Sequence, residues 1–405
     1  MTSEIPLATA IPVTPPPEAA PVKAADRIAT IDVIRGVAVL GILLVNIQYF
    51  AFPLEFQEWR LDSFHGIDKL TRLFVSFFAE AKFITMFSTL FGMGLALQSE
   101  RANAAGRPFA GLYSRRLVFL YLFGLCHGLL LWYGDILFCY AILGFLALLC
   151  RNLNSRTLII IAIPLFLLPA VTMSGFAARE PDEDWNFEFG DVEPDEQVAS
   201  ATHGGDSSDI EKALIRILKD EERTYREGTW GEIATVRALQ YLLIVGPFTF
   251  AFFGTRTLAV FMFGMVFIKL GLFDGTDQRR GTLRWLLLIG LIVGLPMQAV
   301  ATYFLAFGDS RAIIVATQTN AMWFGSAGLC LAYMSGLALF CMNPIGLRLL
   351  RPVAAVGQMA LTNYLTHSIV FTTIFYSYGL GLFGGVRHST ALAMVFGMFA
   401  IQLIV

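Results

Sequence analysis

Apolar residues occur along this chain in long runs rather than in short alternating stretches. A helix needs about 20 apolar residues to cross a bilayer, and runs of this kind predict about ten spanning helices, near 32–52, 71–98, 117–133, 136–150, 157–177, 256–273, 283–306, 321–342, 353–375 and 389–405. The apolar stretch 238–254 contains Gly246 and Pro247, and we interpret it as a partly buried or interfacial helix. The expected fold class is all-α, a polytopic transmembrane helix bundle.

The composition supports a membrane protein. Of the 405 residues, 56% are hydrophobic and 15% are charged, whereas soluble proteins contain roughly 45–50% and about 25%. The 36 Phe residues outnumber the 29 Lys and Arg residues together, which leaves too little polar surface for a water-soluble globule. A disordered chain, a disulfide scaffold and a cytosolic enzyme are therefore excluded, and the expected partner is the lipid bilayer rather than a nucleic acid.

Positive charge falls in every second connection between the predicted helices, at Lys23 and Arg27, at Arg101, Arg107, Arg115 and Arg116, at Arg151 and Arg156, at Arg279, Arg280 and Arg284, and at Arg348 and Arg351. Because cytoplasmic loops are enriched in Lys and Arg, this pattern predicts that the N-terminus lies inside. The expected organisation is a disordered cytoplasmic tail (1–25), a five-helix half (26–177), an extracytoplasmic acidic loop with an amphipathic helix (178–236), and a second five-helix half (237–405), whose last helix stops early at Val405.

Several predicted spans carry polar side chains that are costly to place in lipid and are therefore functional candidates. Asp32 and Arg35 lie one turn apart at the start of the first span, either as a boundary ion pair or with Arg35 facing an anionic substrate. Asn46 lies three turns further along this helix, as a helix–helix hydrogen bond or a cavity residue. Glu80 and Lys82 do not share a helix face, and a lysine at this depth needs a partner or water. Gly92 and Gly94, which follow, allow another helix to approach closely.

The hairpin between the third and fourth spans gives the clearest chemical signal. His127 precedes a tight turn at Gly134 and Asp135, and Asp135 is placed to cap the fourth helix; Tyr140 follows on that helix. His127 is either a buried neutral histidine or a proton acceptor oriented by a carboxylate. His65, in the loop after the first span, lies between acidic residues and is a second candidate.

The ninth span carries polar residues at intervals of three and four, at Gln358, Thr362, Asn363, Thr366 and His367. Such a stripe indicates either a helix that lines a wet or ligand-filled cavity or a helix held by interhelical hydrogen bonds. The sequence contains no P-loop, zinc-binding HExxH pair, CxxC pair or dinucleotide fingerprint, so we expect neither a metal site nor a bound cofactor.

Four co-linear motifs resemble the YeiB-like membrane proteins, a family of unknown function. They are the run from Asp32 to Ile47, the run from Lys82 to Gly94, the segment from Arg115 through Trp132-Tyr133-Gly134-Asp135-Ile136-Leu137, and Ala360-Leu361-Thr362-Asn363-Tyr364-Leu365. The resemblance extends from about Arg27 to the end of the chain, although family members usually continue into a basic cytoplasmic tail. It implies a multi-pass protein of a bacterial plasma or inner membrane.

This family resembles, more distantly, the transmembrane acyltransferase superfamily, which carries acyl groups from cytoplasmic acyl-CoA to an outside sugar. Arg35 and Asn46 fall on the spacing of the superfamily's first-helix arginine and histidine, but an amide at position 46 does not titrate and cannot be a general base. His65 matches the place of a loop histidine in the N-acetyltransferase branch.

The resemblance favours an acyltransferase that moves an acyl group from cytoplasmic acyl-CoA, as co-substrate, to an extracytoplasmic glycan or small acceptor. His65 or His127 is then the base, Asp135 orients it, Arg35 holds the donor phosphates, and Asn46, Asn363 and His367 line the conduit. Asp32, Glu80, Lys82 and Tyr140 complete the candidate substrate-binding residues. A transporter or permease fits the polar spans equally well, although no internal inverted repeat is visible, and a non-catalytic protein that binds a lipid or a partner is the third alternative.

Overall fold

A computed structural model of the chain describes residues 29–53, 61, 64–179, 220–246, 249–273, 276–308 and 311–404. These segments form helices joined by turns, and no β-strand occurs among them. The tail predicted over 1–25 and most of the acidic loop predicted over 178–236 lie outside the described residues.

The described part of the chain contains fifteen α-helices. The first six are α1 (Ala29–Ala51), α2 (Ile67–Phe78), α3 (Lys82–Ala104), α4 (Ala110–Cys126), α5 (Leu137–Leu149) and α6 (Ser155–Ala177). The remaining nine are α7 (Glu221–Glu227), α8 (Trp230–Leu239), α9 (Thr255–Lys269), α10 (Arg280–Phe307), α11 (Ala312–Cys341), α12 (Pro344–Leu349), α13 (Arg351–Gln358), α14 (Ala360–Phe375) and α15 (His388–Ile404).

Six helical segments in the described part are long and apolar enough to cross a bilayer, namely Ala29–Ala51, Ile67–Ala104, Ala110–Leu131, Ser155–Ala177, Asp277–Phe307 and Ala312–Cys341. Large apolar side chains are exposed on their outer faces, for example Phe119 on α4, Ile160 on α6 and Ile292 on α10. An apolar surface of this kind requires lipid rather than water around it. The all-α, multi-pass prediction is confirmed, while the number of about ten spans and the inside N-terminus stay predictions.

The helix predicted over 71–98 is broken in the structure. Chain direction changes at Ala79–Ala81, where Ala81 has a left-handed backbone (φ 63°), and α2 and α3 form on either side. The amide of Glu80 bonds the carbonyl of Val75 (2.9 Å), so the Ser76 carbonyl accepts instead from Lys82 Nζ at 2.6 Å and from Gln298 Nε2 at 3.1 Å. Tertiary hydrogen bonds thus stabilise a break that this run of good helix formers does not signal.

Helix α1 occupies the centre of the bundle and packs against α3, α11, α13, α14 and α15. Small residues permit this crowding: a Cβ added to Gly36 would overlap the Val353 carbonyl of α13, and one added to Gly357 would overlap the Asp32 carbonyl of α1. The start of α1 is therefore held directly against α13 and α14. This contact brings Asp32 and Arg35 beside the helix that carries the polar stripe.

The α4–α5 hairpin carries the predicted His127–Asp135 pair. Helix α4 ends in a π-helical turn, His127–Leu131, in which the Trp132 amide bonds the His127 carbonyl at 2.8 Å. Asp135 Oδ2 accepts from the Phe138 amide at 2.9 Å, which confirms that Asp135 caps the next helix. The π turn widens the end of α4 and contacts both α8 and α14.

The described residues of the stretch 238–254 are helical. Helix α8 continues into a π-helical stretch, Gln240–Val245, and a second one, Thr249–Gly254, leads into α9. The interfacial position that we predict for 238–254 stays a prediction.

Candidate functional site

A cavity of about 550 Å³ lies between α1, α3, α4, α5, α13 and α14. On α1 its lining extends from Ile31 to Ile42, a helix length of about 16 Å at about 1.5 Å per residue. Most lining side chains are apolar, such as Val39, Phe87 and Leu120. The volume is in the range of small-molecule binding sites.

One end of this cavity is polar, and we call it the arginine end because Arg35, Arg101 and Arg116 line it. The Arg35 Nη1 atom bonds Asp32 Oδ1 at 2.7 Å, and Arg116 Nη1 donates to Gln98 Oε1 at 3.0 Å. Among the described residues of the lining, these three guanidinium groups are accompanied by one carboxylate, that of Asp32. Guanidinium groups gathered in this way suit a ligand with several negative charges.

Two tyrosines line the opposite end of the cavity. Tyr140 OH lies 2.5 Å from Ser88 Oγ, which fixes the ring against α3. Tyr364 is buried on α14, its hydroxyl donates to the Gly134 carbonyl at 3.4 Å, and its ring centroid lies 5.2 Å from that of His127. Tyr364 thus contacts both the cavity and His127.

Behind Tyr364 lies a chain of three side chains that we call the relay: Asp135, His127 and Ser368. His127 Nδ1 is 3.0 Å from Asp135 Oδ1, and His127 Nε2 is 2.8 Å from Ser368 Oγ. All three residues are buried, with exposed fractions of 4% for His127, 5% for Asp135 and 0% for Ser368. The π turn places His127, the cap of α5 places Asp135, and α14 brings Ser368 to the other side of the imidazole.

An aromatic cluster, made of Tyr225, Arg237, Gln240 and Tyr376, lies on the far side of the π turn. Arg237 Nη1 donates to the Leu130 carbonyl of that turn. Tyr225 OH donates to Gln240 Oε1 at 2.8 Å, and the Tyr225 and Tyr376 rings are 4.4 Å apart. Burial, and after it the Glu221 carboxylate, raises the pKa of Tyr225, so its hydroxyl remains a donor.

Several donors in the aromatic cluster are buried without a hydrogen-bond acceptor in the described part of the chain. They are Arg237 Nε and Nη2, Gln240 Nε2 and Tyr376 OH. Buried polar groups are normally hydrogen-bonded, and a buried donor or acceptor without a partner costs about 1–3 kcal/mol. The cluster therefore has donors that an oxygen of a ligand or of ordered water would satisfy.

The structure brings part of the predicted site together. Asp32, Arg35 and Tyr140 line the cavity, and His127 and Asp135 form the relay beside its tyrosine end. Asn363 and His367 are directed elsewhere: Gln402 Nε2 donates to Asn363 Oδ1 at 3.1 Å, and Gln402 Oε1 lies 2.9 Å from His367 Nε2. For these two residues the structure therefore favours the interhelical hydrogen bonds over the conduit.

Four predicted residues lie apart from the cavity lining. Glu80 pairs with Arg72 at 3.1 Å, and Lys82 bonds the Ser76 carbonyl, as its depth required. Asn46 is half-buried one turn beyond the last cavity residue of α1. His65 is exposed in the connection before α2, and the carboxylate of Asp68 beside it binds Arg387 and the Ser389 amide instead.

Sequence reasoning missed Ser368 and the second and third arginines of the cavity. In the sequence Arg101 and Arg116 served only to predict the orientation in the membrane, because they are 15 positions apart and lie on either side of a loop. Ser368 is 241 positions from His127, and the sequence of one helix does not show which side chain of another helix its serine contacts. The polar stripe of α14 was the signal available, and Ser368 continues it by one residue.

Comparison with known proteins finds a family model and several relatives that resemble this chain. Residues 267–405 match the family model described as "Protein of unknown function (DUF418)". The chain is 29% identical over 393 residues to the uncharacterized protein YxaH of Bacillus subtilis (strain 168), covering 94% of this chain and 89% of the relative. It is 28% identical over 384 residues to the uncharacterized protein YeiB of Escherichia coli (strain K12), covering 88% and 85%.

Over nearly its whole length the chain is similar to YxaH and YeiB. The resemblance expected from its motifs is confirmed, and the relatives align across nearly the whole chain. A third relative, an uncharacterized 39.9 kDa protein of Bacillus acidopullulyticus, is 26% identical over 387 residues, covering 95% of this chain and 89% of its own length. No solved structure matches the chain.

Proposed function

We propose that this YeiB-like protein is a membrane acyltransferase that moves an acyl group from cytoplasmic acyl-CoA to an extracytoplasmic glycan or small acceptor. One observation carries the proposal: the cavity extends from the arginine end to Tyr364, directly beside the His127–Asp135 pair. A group bound by its phosphates at one end would present its far end to an oriented base. Acyl transfer needs this combination of an anion site and a general base at a fixed separation.

The arginine end is the proposed site for the donor phosphates. Arg116 and Arg101 flank it from α4 and α3, and Arg35 faces them from α1 with Asp32 as its neighbour. Guanidinium groups bind phosphate oxygens through paired, charge-assisted hydrogen bonds. The apolar wall between the arginines and Tyr364 suits the uncharged arm of an acyl carrier.

His127 is the proposed general base. A carboxylate only accepts hydrogen bonds, so the pairing of Asp135 with Nδ1 leaves Nε2 as the acceptor nitrogen that faces Ser368. Nε2 can take the proton of an attacking hydroxyl or amine, and protonated His127 can return it to the leaving thiolate. His65 is exposed, and the nearby Asp68 carboxylate binds Arg387 and the Ser389 amide instead of orienting it. His65 is therefore not the base in this proposal.

The aromatic cluster is the proposed acceptor side. It touches the π turn that holds His127, and it combines two contacting tyrosine rings with buried donors that need acceptor oxygens. Sugar rings offer both an apolar face and hydroxyl oxygens, which fits this chemistry.

Transport is the second candidate, and the buried Lys82 favours it. An ammonium with 0% exposure, close to the Glu80–Arg72 pair, resembles the ionisable groups that line ion pathways. Uptake into proteoliposomes that is lost with Glu80→Gln, without any release of CoA, would support transport instead of acyl transfer.

The test uses inverted membrane vesicles that contain the protein and its native acceptors, supplied with acetyl-CoA labelled in the acetyl group. We expect CoA release and label transfer to fall at least about 100-fold for His127→Gln, since general base catalysis contributes about 10²–10⁴. His65→Ala is the matched control and should keep the wild-type rate. Arg116→Gln should raise KM for acetyl-CoA about tenfold while kcat stays near wild type. Equal activity of His127→Gln and the wild-type protein would refute the proposal.

A further inference from the structure

Ser368 has a hydrogen-bond geometry that its own helix does not explain. Hydroxyl side chains in helices usually donate to the carbonyl four residues earlier, and on α14 Thr366 and Thr373 do so at 2.8 and 2.7 Å. For Ser368 the corresponding distance to the Tyr364 carbonyl is 3.5 Å, while His127 Nε2 lies at 2.8 Å. The Ser368 proton is therefore directed at the imidazole.

The protonation pattern of the relay follows from its ends. Asp135 accepts at Oδ1, so Nδ1 of His127 carries the ring proton and Nε2 presents its lone pair. Ser368 Oγ must then be the donor to Nε2. A hydroxyl that donates to an imidazole, itself oriented by a buried carboxylate, is the geometry that activates a serine nucleophile, whatever the fold.

Ser368 also lies on the substrate side of α14. Leu361 and Tyr364 line the cavity, and residues 361, 364 and 368 share one helix face because neighbours at intervals of three and four align. Ser368 is one turn beyond the cavity, with the Tyr364 ring between them.

We propose that Ser368 is a nucleophile that carries the acyl group as a covalent ester between donor and acceptor. The inference rests on the proposed acyltransferase function and adds the route by which the group moves. It makes the reaction two-step, with an acylated protein as intermediate.

In the first step Ser368 Oγ attacks the thioester carbonyl carbon, and His127 Nε2 takes the serine proton. The carbon–oxygen bond forms, the carbon–sulfur bond breaks, and the thiolate of CoA leaves with the proton from His127. In the second step an acceptor hydroxyl or amine attacks the ester carbonyl and gives its proton to His127. The Ser368 oxygen leaves as the new bond forms, and it recovers the proton from His127.

The experiment uses the full chain, purified in detergent, and two probes read by peptide mass spectrometry. A fluorophosphonate reacts with an activated serine by forming a phosphorus–oxygen bond and releasing fluoride, and it requires no acyl donor. Acetyl-CoA, quenched in acid before turnover is complete, reports the acetyl ester itself. We expect both modifications on Ser368 in the wild-type protein, with labelling reduced at least about 100-fold by His127→Gln.

Three serine variants keep the test independent of folding. Ser368→Ala should lose both modifications, whereas Ser335→Ala, which removes another fully buried serine on α11, should label like the wild type. Ser368→Cys should restore an acetyl adduct as a thioester. Thermal unfolding of each variant in the same detergent checks that the fold is retained.

The outcomes separate this inference from the function on which it rests. Acetyl transfer at the wild-type rate by Ser368→Ala would overturn the nucleophile and leave a direct transfer catalysed by His127. A fluorophosphonate adduct on Ser368 without an acetyl ester would support Ser368 as the nucleophile and would show that acetyl-CoA is not the acyl donor. Absence of both adducts from Ser368 would overturn the inference.

Discussion

Asp135 binds two different elements with its two carboxylate oxygens. Oδ2 accepts from the Phe138 amide at the start of α5, and Oδ1 meets His127 Nδ1 in the π turn of α4. The residue that ends the hairpin turn therefore also orients the imidazole. Tyr241 OH adds a long contact to Oδ2 at 3.5 Å, which helps to keep the carboxylate away from water.

Replacing Asp135 with Asn separates these two roles. Asn is as good a helix cap as Asp, so stability should change little. Its amide NH₂, however, can donate to Nδ1, which favours the tautomer with the proton on Nε2, and Nε2 then cannot accept from Ser368. We expect kcat for CoA release to fall about 10³–10⁴-fold. Vesicle assays give kcat, and thermal unfolding in detergent gives the stability; a nearly unchanged rate would show that orientation of His127 is unimportant.

Residue-scale prediction from the sequence succeeded where partners are close along the chain. His127 and Asp135 are eight positions apart across one tight turn, so their contact follows from local geometry. Ser368 and His127 meet only through the packing of α14 on the π turn. His367, the neighbour of Ser368, was a candidate because it can titrate, but it lies on the face of α14 that contacts α15.

At the element scale, helices α3 and α9 touch through their backbones. A Cβ added to Gly92 would overlap the Phe261 carbonyl, and one added to Gly264 would overlap the Thr89 carbonyl. Gly94, two residues further along α3, is different because the nearest atom to its added Cβ is Gln98 Nε2 at 3.8 Å. Only one glycine of the Gly92-Met93-Gly94 run is thus at the close helix contact that the sequence predicted.

Gly92→Ala should destabilise the protein, since the added methyl group would push α9 away from α3. Overpacking of this kind costs about 1–3 kcal/mol, and it should appear as a lower thermal unfolding midpoint in detergent. Gly94→Ala is the matched control from the same run, and its higher helix propensity should leave the midpoint unchanged or slightly higher. Equal effects of the two substitutions would contradict the close α3–α9 contact.

The sequence predicts a helix boundary well only when the residues that set the boundary are close together in the chain. The starts of α5 and α6 are set by capping residues, since Asp135 and Asn154 accept hydrogen bonds from backbone amides in the first turns of these helices. The break between α2 and α3 has no Gly or Pro to mark it, because its stabilising partners are the side chains of Lys82 and Gln298. Hydropathy shows apolar length and not the hydrogen bonds that interrupt it.

At the scale of the whole molecule, the chemistry depends on which side of the membrane the arginine end faces. That end is built from the first turns of α1, the end of α3, the start of α4 and the end of α13. The α3–α4 connection beside it carries Arg107, and Arg101 at the end of α3 and Arg115 and Arg116 at the start of α4 flank it, the charge pattern expected of a cytoplasmic loop. The connection before α2 lies at the opposite end of α1.

Single cysteines in these two connections test the orientation. In a variant whose five native cysteines are replaced, Ala105→Cys marks the α3–α4 connection and Lys69→Cys marks the start of α2; both positions are exposed. A membrane-impermeant maleimide should label position 69 in spheroplasts, and position 105 only after permeabilisation. This result would place the arginine end inside, where acyl-CoA is available. The reverse pattern would direct the arginine end outward, and it would remove cytoplasmic acyl-CoA as the donor while leaving the relay and its serine unchanged.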